Sequence, residues 1–242
     1  MGYGGDRNIS RFSQNVKFLN CKSKVNSTQL TAVNYAANIV IVNKDGSTGE
    51  VLPSWTNYDH TFIFENCEFW NNQTTNSSGA RVFGNKGSVV FKSCIFRNSY
   101  YGIWSGPSTN PDYVSETSLT IENCVFKNNV RDLNIASTSG ALICHNQFKE
   151  QNSASNLTPV NLTFSIRAKL RDNYFAAPAG NTASITADSA SVNCVYDSNY
   201  FEIFDTNTGY AIDSSGRSYG SGNRTNGTSQ NNLTLTSSVN YG

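Results

Sequence analysis

The sequence is short of charge and of helix formers. Charged residues make up 14% of its 242 residues, where an ordinary globular chain has about a quarter. The formal net charge is +1, so no basic field of the kind that drives nucleic-acid binding is expected. Leu occurs 11 times and Met once. No apolar run reaches the roughly 18 residues of a membrane-spanning helix, and no membrane insertion is expected. The opening MGYGGDRNISRF lacks the basic-then-apolar order of a secretory signal. The chain has two histidines, His60 and His145, and no CxxC or Cys/His ligand spacing. Neither a metal nor a cofactor is expected.

What is abundant is equally directional. There are 33 Asn, 31 Ser and 21 Thr, and aromatic residues make up 12%. Such a composition favours turns and strands and still supplies apolar surface for a core. Nine Asn-x-Ser/Thr triplets occur, a number this composition generates by chance. The expectation is an all-β protein rich in turns.

Internal repetition makes the expectation specific. The segments VKFLNCKSK, IFENCEFWNN, VFKSCIFRNS, TIENCVFKNN, LICHNQFKEQ, KLRDNYFAA and VYDSNYFEI align without gaps. Phe18, Phe64, Phe91, Ile121, Ile143, Leu170 and Tyr196 form an apolar anchor column. Three residues on stand Cys21, Cys67, Cys94, Cys124, Asn146, Asn173 and Asn199. Five residues on, six of seven positions are Phe, the exception being Ser23. Anchors from Phe64 onward lie 22 to 30 residues apart. The 46-residue step from Phe18 to Phe64 reads as two periods, with a missing rung near Ile41.

Three columns recurring at this period predict a solenoid, since no single period buries its apolar face alone. Stacked in register, like side chains form internal ladders. Phe stacks on Phe, and Asn at a tight turn satisfies its own backbone and its neighbour. Cys, small and often buried, is expected to replace Asn where no polar partner is available. The pattern resembles the right-handed parallel β-helix superfamily, pectate-lyase-like and most similar to bacteriophage tailspike and receptor-binding proteins. The resemblance implies a right-handed single-stranded parallel β-helix of about 7–8 coils. An antiparallel sandwich, whose strands recur every 8–12 residues or so, does not produce these columns.

Residues 1–15 are expected to be an N-terminal cap or linker, 16–205 the β-helix, and 206–242 a Gly/Ser/Asn/Thr-rich tail or closing strand. Segments 43–61 and 98–118 combine Pro, Gly and aromatics and read as loops leaving the coil. Four of the six Cys fall in one inward column, which accounts for them as packing residues. Free thiols imply folding in a reducing cytoplasm.

Two places could carry chemistry. The outward positions after the anchors include Glu65, Lys92 and Glu122 on consecutive rungs. Two rungs separate the carboxylates by roughly 9.6 Å between Cα atoms, close to the spacing of an inverting glycoside hydrolase pair. Lys92 between them could hold one ionised. The same column also reads as a charge-alternating ladder that supports strand pairing. The second place is the segment around Tyr100, Tyr101, Trp104, Asp112, Tyr113 and Glu116. There, aromatic faces could bind sugar and carboxylates could serve as acid and base. Trp55, Tyr58, Asp59 and His60, with Trp70 nearby, form a similar cluster. The alternative is that these rings fold back to seal the coil.

The resembled family's catalytic motifs are absent. There are no clustered Asp with a downstream Arg, no adjacent Asp pair with Gly-His-Gly, and no calcium loop. The expected function is therefore recognition, with or without cleavage, of a host surface polysaccharide by a tailspike-like virion protein. Such a protein folds in the host cytoplasm and assembles as a homotrimer. The alternatives are a free polysaccharide lyase or glycoside hydrolase, and a non-enzymatic structural or adhesive β-helix, secreted or on the cell surface.

Overall fold

The computed structural model describes residues 15–24, 37–42, 60–73, 77–83, 87–106, 117–136, 138–149, 158–176, 183–202, 212–215 and 217–225. Among these residues there is no helix, and every strand pairs with its neighbours in parallel. Three sheets run along a β-solenoid; among the described residues each of the first seven rungs gives one short strand to each sheet, and the eighth gives strands to sheets A and B.

Sheet A contains Asn15–Leu19, His60–Glu65, Gly87–Lys92, Thr117–Glu122, Leu142–Cys144, Lys169–Arg171, Cys194–Asp197 and Ser218–Ser221. Sheet B contains Lys22–Lys24, Glu68–Trp70, Ile95–Arg97, Val125–Lys127, Gln147–Lys149, Tyr174–Phe175, Tyr200–Phe201 and Arg224–Thr225. Sheet C contains Ala37–Val42, Ser78–Phe83, Tyr101–Ser105, Arg131–Ala136, Val160–Thr163, Ile185–Ala187 and Ile212–Ser214.

The sequence columns are the columns of the solid. Phe18, Phe64, Phe91, Ile121, Ile143, Leu170 and Tyr196 occupy one register line of sheet A. Ser23, Phe69, Phe96, Phe126, Phe148, Phe175 and Phe201 occupy one line of sheet B. Along that line, ring centroids from Phe69 to Phe201 lie 4.5–5.1 Å apart with planes within 19° of parallel. Phe64 and Phe91 meet the same stack edge-on, at 6.1 Å from Phe69 and 5.4 Å from Phe96. Each such pair contributes about 0.5–1.5 kcal/mol beyond the burial of its area.

The structure corrects the reading of the 46-residue step. Phe18 pairs directly with Phe64, so the step is a single rung. Ile41 belongs to sheet C within that same rung, opposite Val82. No additional rung is hidden there. The segment 98–118 is likewise not all loop, since Tyr101–Ser105 is a strand of sheet C and Thr117–Glu122 a strand of sheet A. At the other end the sheets run past residue 205. Gly220 takes the anchor place opposite Tyr196, and Thr225 stands opposite Phe201.

The corner between sheets A and B is set by one left-handed residue per rung. Asn20, Asn66, Ser93, Asn123, His145, Asp172, Ser198 and Gly222 all have φ between 52° and 62°. Asn, Asp and Gly enter this region at least cost, which explains their prevalence directly before the Cys/Asn column. The inward residue that follows then closes the corner. Asn146, Asn173 and Asn199 each donate from Nδ2, at 2.9 Å, to the anchor carbonyl of the preceding rung, on Ile121, Ile143 and Leu170. Their Oδ1 atoms accept the backbone N–H of the preceding rung's column residue, at 2.8–3.1 Å. The thiols of Cys67, Cys94 and Cys124 donate to the corresponding carbonyls of Phe18, Phe64 and Phe91 at 3.3–3.5 Å. Cys is therefore not the choice for lack of a polar partner. It keeps the donor function of Asn and gives up the acceptor. All six cysteines are free thiols.

Sheet C closes the core with Ala80, Ile103, Leu133, Val160, Ile185 and Ile212 in one line, all fully buried. At the corner entering this sheet the Phe stack leaves no room for a side chain. A Cβ on Gly102 would stand 2.8 Å from Phe126 Cδ1 and 2.6 Å from the Asp132 carbonyl oxygen.

Candidate functional site

Strands expose every second residue, so each sheet offers one or two outward columns. The expected site residues separate onto three faces. Glu65, Lys92 and Glu122 share an outward column of sheet A. Trp70 is outward on sheet B. Tyr101 and Trp104 lie on sheet C, with Tyr100 just before the strand. Trp55, Tyr58, Asp59, Asp112, Tyr113 and Glu116 lie outside the described residues, as does the side chain of His60.

The sheet A column has the register read from the sequence. Within it Glu65 Oε2 is ion-paired with Lys17 Nζ at 2.7 Å. The hydrogen bond and charge of Lys17 hold the Glu65 carboxyl below its ordinary range, with Lys92 adding to the effect. Such a group is a carboxylate and at most a base. The next place in the column is Cys144, which is buried. Burial pushes its thiol up, and the charge of Glu122 adds to that.

Sheet C presents a more developed surface. Its outward line runs Arg81, Trp104, Asn134, Asn161, Thr186. The Arg81 guanidinium lies 4.0 Å over the Trp104 ring. Tyr101 packs on Trp104 at 4.8 Å between centroids, and Tyr100 packs edge-on against Tyr101, also at 4.8 Å. Arg131, the register partner of Tyr101, donates from Nε to the Thr158 carbonyl at 3.2 Å and from Nη1 to Asn134 Oδ1 at 3.4 Å. Asn161 Nδ2 donates to the same Asn134 oxygen at 2.8 Å, and Thr186 Oγ1 donates to Asn161 Oδ1 at 3.0 Å. The result is one hydrogen-bonded strip with rings and guanidinium groups at one end and amides and hydroxyls at the other.

Trp104 is 8% exposed and Arg81 6%. They therefore form the floor of the strip, while half-buried Tyr100, Tyr101, Arg131, Asn161 and Thr186 form its accessible edge. Burial, then the neighbouring Tyr100, pushes the Tyr101 phenol up, so it stays a neutral donor. Sequence reasoning found the three aromatics and missed Arg81, Arg131, Asn134, Asn161 and Thr186. Arg81, Asn134, Asn161 and Thr186 each sit at the centre of an apolar–polar–apolar triplet, ARV, LNI, VNL and ITA, whereas Arg131 lies outside that pattern.

Fold and surface together define a parallel β-helix with one continuous polar–aromatic strip along an outer face. No protein-family model matches the chain, and neither the curated proteins nor the solved structures compared with it give a match. Among the described residues, no group of three His, Cys, Asp or Glu is placed to hold a metal ion.

Proposed function

We propose that the protein recognises a surface polysaccharide, as a tailspike-like virion protein does, and that the outer strip of sheet C makes the contact. The observation that carries this reading is the pairing of Tyr101 and Arg131 at one register position, continued by the Asn134–Asn161–Thr186 hydrogen-bonded line. A pyranose presents apolar C–H faces and ring-edge hydroxyls. Aromatic faces suit the first, and fixed amides, hydroxyls and guanidinium groups suit the second. Rigid strands hold these groups without an ordering cost on binding. Trimeric assembly, as in the resembled spikes, belongs to the same proposal.

The test is a glycan array with the wild-type chain and with Tyr101→Ala and Arg131→Gln. The reading expects array hits that both substitutions weaken by about tenfold or more, the size of one lost hydrogen bond to a charged group. Hits unaffected by either substitution contradict the strip as the site.

A second reading, glycoside hydrolysis, is favoured by the register of Glu65 and Glu122 two rungs apart on sheet A. Its test is a reducing-end assay on Glu65→Gln and Glu122→Gln. Cleavage undiminished in both variants eliminates that pair.

A further inference from the structure

The column that closes the corner between sheets A and B reads Cys21, Cys67, Cys94, Cys124 on the first four rungs and Asn146, Asn173, Asn199, Asn223 on the next four. Anchor bulk does not account for the change. Ile121 anchors the rung of Cys124 and Ile143 that of Asn146, so one kind of anchor accompanies both thiol and amide. Asn makes the fuller set of hydrogen bonds at this corner. A run of thiols therefore gives up acceptors that the same column keeps further along.

The thiols of successive rungs lie over one another. The backbone N–H of Glu68 reaches the Cys21 carbonyl at 2.8 Å, and those of Ile95 and Val125 reach the Cys67 and Cys94 carbonyls at 2.9 Å. Each Sγ stands 3.3–3.4 Å from the carbonyl oxygen two residues back, on Leu19, Glu65, Lys92 and Glu122. One side-chain orientation thus repeats four times, and the sulfurs follow the rung spacing of about 4.8 Å. A disulfide needs sulfurs about 2 Å apart, which this orientation does not offer. A two-coordinate metal ion needs them at twice a metal–thiolate bond, about 4.6 Å. Side chains stand across the strand, so an ion on the stacking axis meets each Cβ–Sγ bond at roughly a right angle, where a sulfur lone pair points.

We infer that Cys21 and Cys67 form a linear, two-thiolate site for a soft monovalent cation of the Cu(I) class, at the first rung of the ladder and independent of the sheet C strip. Soft thiolates select such ions, and a linear site needs no third ligand. No local ligand spacing announces it, since the two cysteines come from different rungs. Cys21 is exposed while Cys67, Cys94 and Cys124 are buried, so this end of the ladder gives entry. Binding moves no electron. Each thiol gives its proton to solvent, two sulfur–metal bonds form, and the pair carries one net negative charge. Water at Cys21 stabilises that charge. Burial pushes the Cys67 thiol up and the Cys124 thiol further, so the inner rungs resist the same loss of protons. Because protons are released, binding tightens as pH rises.

The experiment titrates the reduced full-length chain with Cu(I), kept reduced by ascorbate, against a chromophoric Cu(I) chelator, with Zn²⁺ as a second probe. The variants are Cys21→Ser, Cys67→Asn and, as a buried thiol outside the column, Cys194→Ser. Cys67→Asn installs the amide that the column itself uses, and circular dichroism checks its fold. Cys21→Ser, at the exposed end, decides alone if Cys67→Asn fails to fold. The expected result is one Cu(I) per chain, bound more tightly at higher pH, with two sulfur neighbours and no nitrogen or oxygen in X-ray absorption. Cys21→Ser and Cys67→Asn should each weaken it by more than the roughly 100-fold that loss of an outer-shell partner costs, and Cys194→Ser should leave it unchanged. Failure to hold Cu(I) against the chelator, unchanged affinity in a folded column variant, or three or more ligands in the spectrum overturns the inference. Zn²⁺ bound as tightly, or equal weakening in Cys194→Ser, overturns it too.

Discussion

Asn146 Oδ1 accepts the backbone N–H of Cys124 at 2.8 Å, and at this contact the thiol half of the corner ladder meets the amide half. On one side each rung is closed by a single donor. On the other, each Asn both donates to the anchor carbonyl and accepts from the backbone of the rung before it. The two halves therefore tolerate substitution differently.

Asn173→Ala removes an acceptor for the Asn146 backbone N–H and Nδ2 and a donor to the Ile143 carbonyl. With about 1–3 kcal/mol for each buried group left unsatisfied, the variant should lose several kcal/mol in denaturant unfolding. Asn146→Cys keeps a donor for Ile121 and strands only the Cys124 N–H, so it should cost clearly less. Equal losses in the two variants would contradict the equivalence of thiol and amide donors.

The Phe stack makes a second prediction. Phe126 lies 5.1 Å from Phe96 and 5.0 Å from Phe148, centroid to centroid, with no exposed surface. Phe126→Ala should cost about 3–5 kcal/mol, as large-to-small changes in closed cores do. Phe126→Leu should recover more than half of that loss. Chemical denaturation of both variants measures it.

How far the sequence could be read follows from which columns keep a uniform chemistry. The anchor, the Cys/Asn position and the Phe column do so over most rungs, and the structure keeps all three in register. Sheet C was not legible, because its inward residues range from Ala80 to Leu133 and its strands follow segments of unequal length. The last rung was missed for a related reason. Gly220 and Thr225 replace the apolar residues, and only Asn223, donating to the Tyr196 carbonyl at 2.9 Å, preserves the pattern. The charge column of sheet A was read correctly in position, while its chemistry depends on Lys17, an outward residue of the neighbouring strand. The strip on sheet C needs contacts between residues some 30 positions apart, as Tyr101 and Arg131 are, and no local pattern announces them.

Asp132 should make stability depend on pH. It is fully buried, accepts from Asn129 Nδ2 at 2.9 Å, and its Oδ2 has no hydrogen-bond partner. Burial pushes its carboxyl up to about 7 from 3.8. The folded state thus holds its proton to higher pH than the unfolded chain does. Stability should fall as pH rises from about 4 to about 7, by roughly 4 kcal/mol at most from this group, and this loss is complete above that range. Asp132→Asn should flatten this part of the profile and be the more stable form at pH 8. Thermal unfolding across pH 4–8 checks both, and parallel profiles in the two proteins would contradict it.

Stacked rungs with like side chains in line underlie every proposal above. Lys92 and Ser221 share one outward line of sheet A, five rungs apart through Glu122, Cys144, Arg171 and Asp197. Spin labels at Lys92→Cys and Ser221→Cys, in a Cys21→Ser background, give that distance directly by pulsed electron paramagnetic resonance. Five rung spacings predict a narrow distribution centred near about 24 Å. A broad distribution, or a mean beyond roughly 35 Å, would be inconsistent with five strand spacings and would contradict the solenoid.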